Sequence, residues 1–338
     1  MEGPRVSLLM PNRDNAGVLD FVLERLATNT GYHDVELIVV DDGSTDGSRE
    51  ILRRWRDSGR FAELRLIERE HSGVADALNA GLQAATGELV VQLDADASVD
   101  TKGWLATMVA FFESDPRIGA VTAKVVFEWG KVHACGIDVI EPAGLHDGGT
   151  EITEPVGRRT LHSRVRRPRE GDCSRCERLA EVDGGIGCCL MYSRAQALAA
   201  GGYDPGFSPV WFDDLDLTIR LRARGLKVFC LPQVRVVHHA GGRPGLGRRV
   251  GSMLPARLRD PLVNRLGIDR PSADHRARLD HHYRYWREKW GFDLLNPDMS
   301  AIRARWGGTE VCWRDDPSMR AAGERIAEGF AAGSGRDG

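Results

Sequence analysis

Long hydrophobic runs are missing from this chain. None approaches the ~20 residues that a membrane-crossing helix needs. The start, Met1-Glu2-Gly3-Pro4-Arg5, passes into a strand-like run with no apolar signal core. Both absences set the expectation of a soluble, cytoplasmic protein. Charge of one sign is missing too: a net −3 over 338 residues makes no global field, so no nucleic-acid partner is expected. The glycine fingerprint of a dinucleotide-binding turn is absent, which excludes a nicotinamide-dependent dehydrogenase. Lysine is scarce, five of 46 basic residues, which we read as codon usage. The seven cysteines (135, 173, 176, 188, 189, 230 and 312) are expected to be reduced thiols. Cys173-Ser-Arg-Cys176 has zinc-knuckle spacing. Its second pair would have to be the adjacent Cys188-Cys189, which alternate faces on a strand, so we read it as a loop feature.

What is present is a repeating pattern. At 42% apolar the chain can bury one large core or two modest ones. Strand-like runs at Val6–Met10, Val35–Val40, Leu64–Ile67 and Glu88–Leu93 alternate with helical patterns, among them Val74–Ala85. Helices are also expected at Trp104–Phe112, Ala195–Ala200, Trp211–Arg224 and Ala273–Trp290, with strands at Val121–Val126, Lys227–Leu231 and Val234–Val237. Such alternation predicts an α/β fold, a mostly parallel central sheet with helices on both faces. Residues 141–181 lose all periodicity, and a stretch that long is functional or disordered. We divide the chain into an α/β domain over 1–240, with halves 1–96 and 97–240, a basic and helical extension over 241–320, and a flexible tail over 321–338.

Three acidic clusters end strands or open helices. Asp94-Ala95-Asp96 closes an apolar run, where open α/β sheets bind ligands. Two carboxylates so close repel one another, and a hard divalent cation relieves that while leaving coordination positions for phosphate oxygens; the bland alternative is a solvated turn. Asp41-Asp42 ends the second strand, where a carboxylate can accept from a nucleobase N–H or a ribose hydroxyl. Asp213-Asp214-Leu215-Asp216 opens a helix; the dipole favours acids there, but three in four positions repel. Val237-His238-His239 ends a strand, and a lone histidine there is more often structural than ligating.

In order and spacing these motifs resemble the family 2 glycosyltransferases. The resemblance spans residues 5–240 and rests on Val6–Pro11, Val39–Ser48, Thr86–Asp96, Gly201–Asp204, Asp213–Arg220 and Val237-His238. It implies a GT-A fold and an inverting transfer from a nucleoside-diphosphate sugar, assisted by Mn²⁺ or Mg²⁺. By position, Asp42 matches the acid that recognises the base, with Asp41 a ribose contact. Asp94, Asp96 and His238 match the metal set, with His239 the alternative. Asp214 matches the general base and Asp213 the acid beside it that holds the acceptor. Pro11, Arg13, Gly73 and Ala95 fall on the donor side; Gly185, within Gly184–Gly187, and Trp211 fall on the acceptor side. The aromatic residue common after the first strand is missing, so Arg13 is expected to stack as a guanidinium plane. That leaves uridine, guanosine and thymidine donors open.

The acceptor is the least legible partner. Residues 156–169 carry six arginines and no acid, and residues 241–270 seven arginines against two acids. They read as solvated loops or as a basic, partly apolar surface for an anionic or lipid-linked acceptor, with peripheral contact at the inner membrane face. A carbohydrate or small-molecule acceptor and a homo-oligomer also stay open. Two rivals remain. A sugar-nucleotide pyrophosphorylase would need a glycine-rich, basic loop, and Met10–Gly17 holds one glycine and one arginine. A nucleotide-sugar-binding regulator without transferase activity would be expected to lack the base or a metal ligand, yet Asp94, Asp96, Asp214 and His238 are all present.

Overall fold

The computed structural model describes residues 3–138, 146–147, 170–171, 174–239, 273–291 and 294. Most of the aperiodic stretch, both arginine-rich segments and the tail lie outside them. The first half runs β1 (Val6–Asn12), α1 (Ala16–Asn29), β2 (Val35–Asp42), α2 (Ser48–Asp57), β3 (Leu64–Arg69), α3 (Val74–Ala84) and β4 (Leu89–Leu93). Then come β5 (Ala97–Val99), α4 (Trp104–Phe112), β6 (Ile118–Phe127), β7 (Val132–Ala134) and the short β8 (Ile137–Asp138) and β9 (His146–Asp147). The chain continues through β10 (Ala180–Val182), β11 (Cys189–Ser193), α5 (Arg194–Ala199), α6 (Asp213–Ala223), β12 (Lys227–His238) and α7 (Ala273–Trp290).

The sheet order is β10-β12-β6-β11-β4-β1-β2-β3, with β5 on β12 and β7 on β6. From β4 to β3 every pairing is parallel, as the alternating pattern requires. Beyond β4 the sheet is mixed: β11 runs antiparallel to both β4 and β6, while β12 runs parallel to β6. Successive β1 residues feed opposite faces. Val6, Leu8 and Met10 meet α1, α2 and α4, while Leu9 meets α3. Burial on both faces explains why these strands read as unbroken apolar runs.

Three differences from the sequence reading have physical causes. The two final strands expected at 227–231 and 234–237 are one, β12, with a bulge between Leu231 and Arg235 that absorbs the break in pattern. Cys176 is disulfide-bonded, not a reduced thiol, and so cannot serve a zinc knuckle as a thiolate. Helix α6 starts at Asp213, not Trp211, because Trp211 and Phe212 take left-handed φ values of 78° and 67°. The helical part of the C-terminal extension shares a core with the α/β unit: Trp286 and Trp290 of α7 pack with Phe207, Leu215 and Ile219.

Candidate active site

The clusters from the first half meet at the C-terminal edge of β1, β2 and β4. Asp41 is fully buried and accepts from Asn12 Nδ2 at 2.9 Å, from Arg49 Nε at 2.7 Å and from the Ser44 hydroxyl. Burial alone would raise its pKa, but these donors outweigh it and hold the carboxyl below the usual range. With its oxygens so engaged, Asp41 ties the loops after β1 and β2 together.

Asp42 is held differently. It accepts from the backbone N–H groups of Ser72 and Gly73, each at 2.9 Å, and pairs with His71 Nδ1 at 2.7 Å. Here too the donors overcome burial and lower its pKa. Arg13 contacts the other ring nitrogen of His71, so Asp42, His71 and Arg13 form one chain towards solvent. Pro11 pairs with Val40 at the top of β1. Gly73 has φ 110°, a region that L side chains rarely adopt, and an added Cβ would meet Ser208. The close approach lets the loop after β3 touch the turn that leads to α6.

At the end of β4, Asp94, Asp96 and His238 bring one ligand atom each to within 4.8 Å of one another. His238 Nε2 lies 3.5 Å from Asp96 Oδ1, because β12 pairs His238 with Ala97. Burial, then Asp96, push the Asp94 pKa up to about 6. Uncompensated carboxylates with an adjacent imidazole are a donor set for a hard divalent ion, so the residues fit the cation that the sequence implied. Ala95 turns its side chain into the core and could meet a donor only through its backbone. His239 is excluded as the ligand: its nitrogens engage Glu128 at 2.6 Å and Ser98 at 2.9 Å.

The third acidic cluster opens α6. Asp214 accepts from Gly187 N at 2.6 Å and Leu215 N at 2.7 Å, yet burial still raises its pKa. Asp213 is raised well above the usual range by burial and by Asp214. The consecutive left-handed residues Trp211 and Phe212 cost ~1–2 kcal/mol each. They set the angle at which the acids enter the helix. Asp216 plays another part. Fully buried, it accepts from Trp290 Nε1 at 2.9 Å and pairs with Lys289 at 2.7 Å and Arg220 at 2.7 Å. It fastens α6 to α7.

Gly184–Gly187 backs this pocket. Gly185 N donates to Thr218 Oγ1 at 3.3 Å, and a Cβ at Gly187 would meet the Gln92 amide. Cys188, which the sequence reading left unassigned, donates its thiol to Asp94. One dipeptide therefore holds both halves of the site, Gly187 on Asp214 and Cys188 on Asp94. The signal for it was the antiparallel register of β11 on β4, which no local motif announces.

A family model described as "Glycosyl transferase family 2" matches residues 7–183. O-antigen biosynthesis protein RfbC of Myxococcus xanthus is 27% identical over 333 residues, covering 86% of this chain and 24% of that protein. An uncharacterized protein, y4gI, of Sinorhizobium fredii is 29% identical over 251 residues, covering 72% of this chain and 26% of that protein. The chain thus spans about a quarter of the length of these relatives. Among solved structures, a mannosyltransferase from Pyrobaculum calidifontis in complex with GDP-Man and Mn²⁺ aligns with TM-score 0.52 at 22% identity, over 96% of this chain and 86% of that one. GalNAc-T7 with UDP, GalNAc and Mn²⁺ aligns with TM-score 0.52 at 16% identity, over 74% and 47%. At such identities the likeness speaks for the fold, which is GT-A.

Proposed function

The chain belongs to glycosyl transferase family 2, and from that premise we propose that it moves a sugar from a nucleoside-diphosphate donor to an acceptor hydroxyl with inversion. The observation that carries this reading is the Gly187-Cys188 dipeptide, which joins a desolvated carboxylate, Asp214, to a metal-type cluster at Asp94 and Asp96.

Asp42, fixed by two backbone N–H groups and His71, lies on the donor side, and Arg13 beyond His71 supplies a planar cation there. Asp94, Asp96 and His238 would hold the divalent ion, which when bound neutralises charge developing on the departing diphosphate. Asp214 takes the proton of the acceptor hydroxyl as that oxygen bonds to the anomeric carbon and the bond to the diphosphate breaks. A single displacement inverts the centre. General-base assistance is worth ~10²–10⁴-fold, and a base whose pKa is raised towards the working pH gives it more effectively than an ordinary carboxylate. Asp213 lies beside it on the acceptor side, and Trp211 and Gly185 frame the same wall.

The relative named for O-antigen biosynthesis points towards a polysaccharide acceptor. Among the described residues no helix is long and apolar enough to cross a membrane.

A thermal-shift panel of UDP, GDP and TDP, with Mn²⁺ or with EDTA, tests the proposal. A nucleotide at 100 times its Kd stabilises by ~2.7 kcal/mol. The shift should require the divalent ion and shrink in Asp96→Ala. A nucleotide shift that survives both EDTA and Asp96→Ala would overturn the metal assignment.

A further inference from the structure

Two sets of ligating atoms meet at His238. Besides the Asp94–Asp96–His238 set, the ligand atoms of His133, Cys188 and His238 also lie within 4.8 Å of one another. Their chemistry differs. Carboxylates suit Mg²⁺ and Mn²⁺, whereas a thiolate with two imidazoles is a donor set for Zn²⁺ and similar borderline ions. A tetrahedral ion with bonds of about 2.0–2.3 Å spaces its ligands about 3.5 Å apart, so modest side-chain rotation would close this triad.

The fold builds the second set deliberately. β11 pairs Cys189 with Leu93, which brings the preceding Cys188 alongside Asp94. β7 lies on the end of β6, and its His133 stacks on Phe127 with centroids 4.7 Å apart and meets the His238 ring edge-on at 5.1 Å. Cys188 is only 4% exposed, and its thiol already donates to the Asp94 carboxylate. The transfer reaction has no use for a thiol or for His133.

We propose that His133, Cys188 and His238 form a binding site for a thiolate-seeking divalent cation of the Zn²⁺ class. Because His238 belongs to both sets, that ion and the Mn²⁺ or Mg²⁺ of the transfer site exclude one another. On binding, the S–H bond of Cys188 breaks, its proton passes to water, and the sulfur electron pair forms the bond to the metal. Asp94 can then complete the fourth position. The exclusion rests on the donor-side reading above; the binding does not.

Co²⁺ added to the whole chain is the probe, since a thiolate ligand gives it a sulfur-to-metal charge-transfer band and tetrahedral geometry gives it strong visible bands. Both should appear with the native chain, titrate away with Zn²⁺, and survive in Asp96→Ala. They should be lost in Cys188→Ser, a near-isosteric change, and weaken roughly tenfold or more in affinity in His133→Ala, which removes a partly exposed ring. Absence of the charge-transfer band from the native chain, or its persistence in Cys188→Ser, overturns the site. In a second arm, Mn²⁺ bound to the protein is followed by electron paramagnetic resonance. Zn²⁺ should release it from the native chain at a concentration roughly tenfold or more below that needed with Cys188→Ser, where only the carboxylate set competes. Co-occupancy of Mn²⁺ and Zn²⁺ overturns the exclusion. Failure of Mn²⁺ to bind at all strikes the donor-side reading and leaves the Co²⁺ result standing.

Discussion

Asp41-Asp42 and Asp213-Asp214 are the same dipeptide in opposite electrostatic states. The first pair is buried among donors: Asn12, Ser44 and Arg49 on Asp41, and His71 with two backbone N–H groups on Asp42. Both pKa values fall. Of the second pair, Asp213 is buried and Asp214 half-buried, with few donors, two backbone N–H groups on Asp214 and no cation among the described residues, and both pKa values rise. Burial pushes all four carboxyls the same way; what decides the sign is the number of donors waiting. A saturated pair is scaffold and fixed anion. A starved pair costs stability when ionised, and that is the state the proposed base role needs.

The largest effect expected from breaking this contrast is on catalysis. Asp214→Asn should lower transfer by ~10²–10⁴-fold while the nucleotide shift in melting persists. If Asp213→Asn is the silent enzyme and Asp214→Asn turns over, the base sits one residue earlier. The pH profile sharpens the point. A base with a raised pKa must be deprotonated to act, so kcat/KM should fall on acidification with its inflection above the ordinary carboxylate value near 4. An inflection at or below that value contradicts a starved Asp214.

The second effect is on stability and has opposite signs in the two pairs. Glu36 lies at the other end of the same strands, fully buried, accepting from Ser7 at 2.6 Å, from Thr86 N at 2.7 Å and from Arg65. Burial opposes its ionisation, yet the donors hold its pKa down at about 2. A lowered folded-state pKa contributes stability above the unfolded value near 4.5, and that stability is lost as pH falls through the folded value. Glu36→Ala takes an acceptor from the hydroxyls of Ser7 and Thr86 and from Arg65, which is partly exposed and keeps Ala84 O, and should cost on the order of 1–3 kcal/mol. The native chain should lose stability between pH 4.5 and about 2 as Glu36, Asp41 and Asp42 protonate. For Asp213 and Asp214 the raised folded-state pKa means that ionisation destabilises. Asp213→Asn should therefore raise the melting temperature at neutral pH, and Asp42→Asn lower it. Shifts of the same sign would erase the distinction.

How legible each region was follows from the same physics. In residues 6–93 every signal is local: apolar runs buried on both sides, helix faces, and an acid where each strand ends. Parallel βαβ units repeat, so the alternation predicted a parallel sheet with helices on both faces. Past β4 the sheet turns mixed, and its partners are set by long-range register. Nothing near Cys188 says that it will lie beside Asp94, and nothing near His133 that it faces His238. Asp216 was visible as a surplus acid, but its partners, Lys289 and Trp290, lie more than 70 residues away. The disulfide at Cys176 escaped notice because thiol state was inferred from composition alone.

A smaller effect tests whether the saturated state can be met by a distant helix. Lys289 bridges Asp204 and the fully buried Asp216, holding both ends of the turn that carries Trp211 and Phe212. Lys289→Met keeps the aliphatic stem but leaves two acids short of a cation, and should cost about 2 kcal/mol. Because that turn aims Asp213 and Asp214, the acceptor KM should rise while nucleotide affinity holds. Equal losses of donor and acceptor affinity would mean general unfolding instead.

The smallest effect separates charge from packing at the same joint. Trp290 stacks on Trp286 with centroids 5.5 Å apart and donates to Asp216. Trp290→Phe retains most of the stacking and removes only the N–H. Asp216 keeps Arg220 and Lys289, so the loss should be about 1 kcal/mol, a fall of a few degrees in Tm, since a hydrogen bond to an ion that keeps other partners contributes little net. The acid limb of the rate profile should stay where it was, because Asp216 keeps both cationic partners and the field at Asp214 would not change. Were the limb to move, Asp216 would be part of the proton-accepting cluster, and the division between saturated and starved acids would have to be redrawn through the middle of α6.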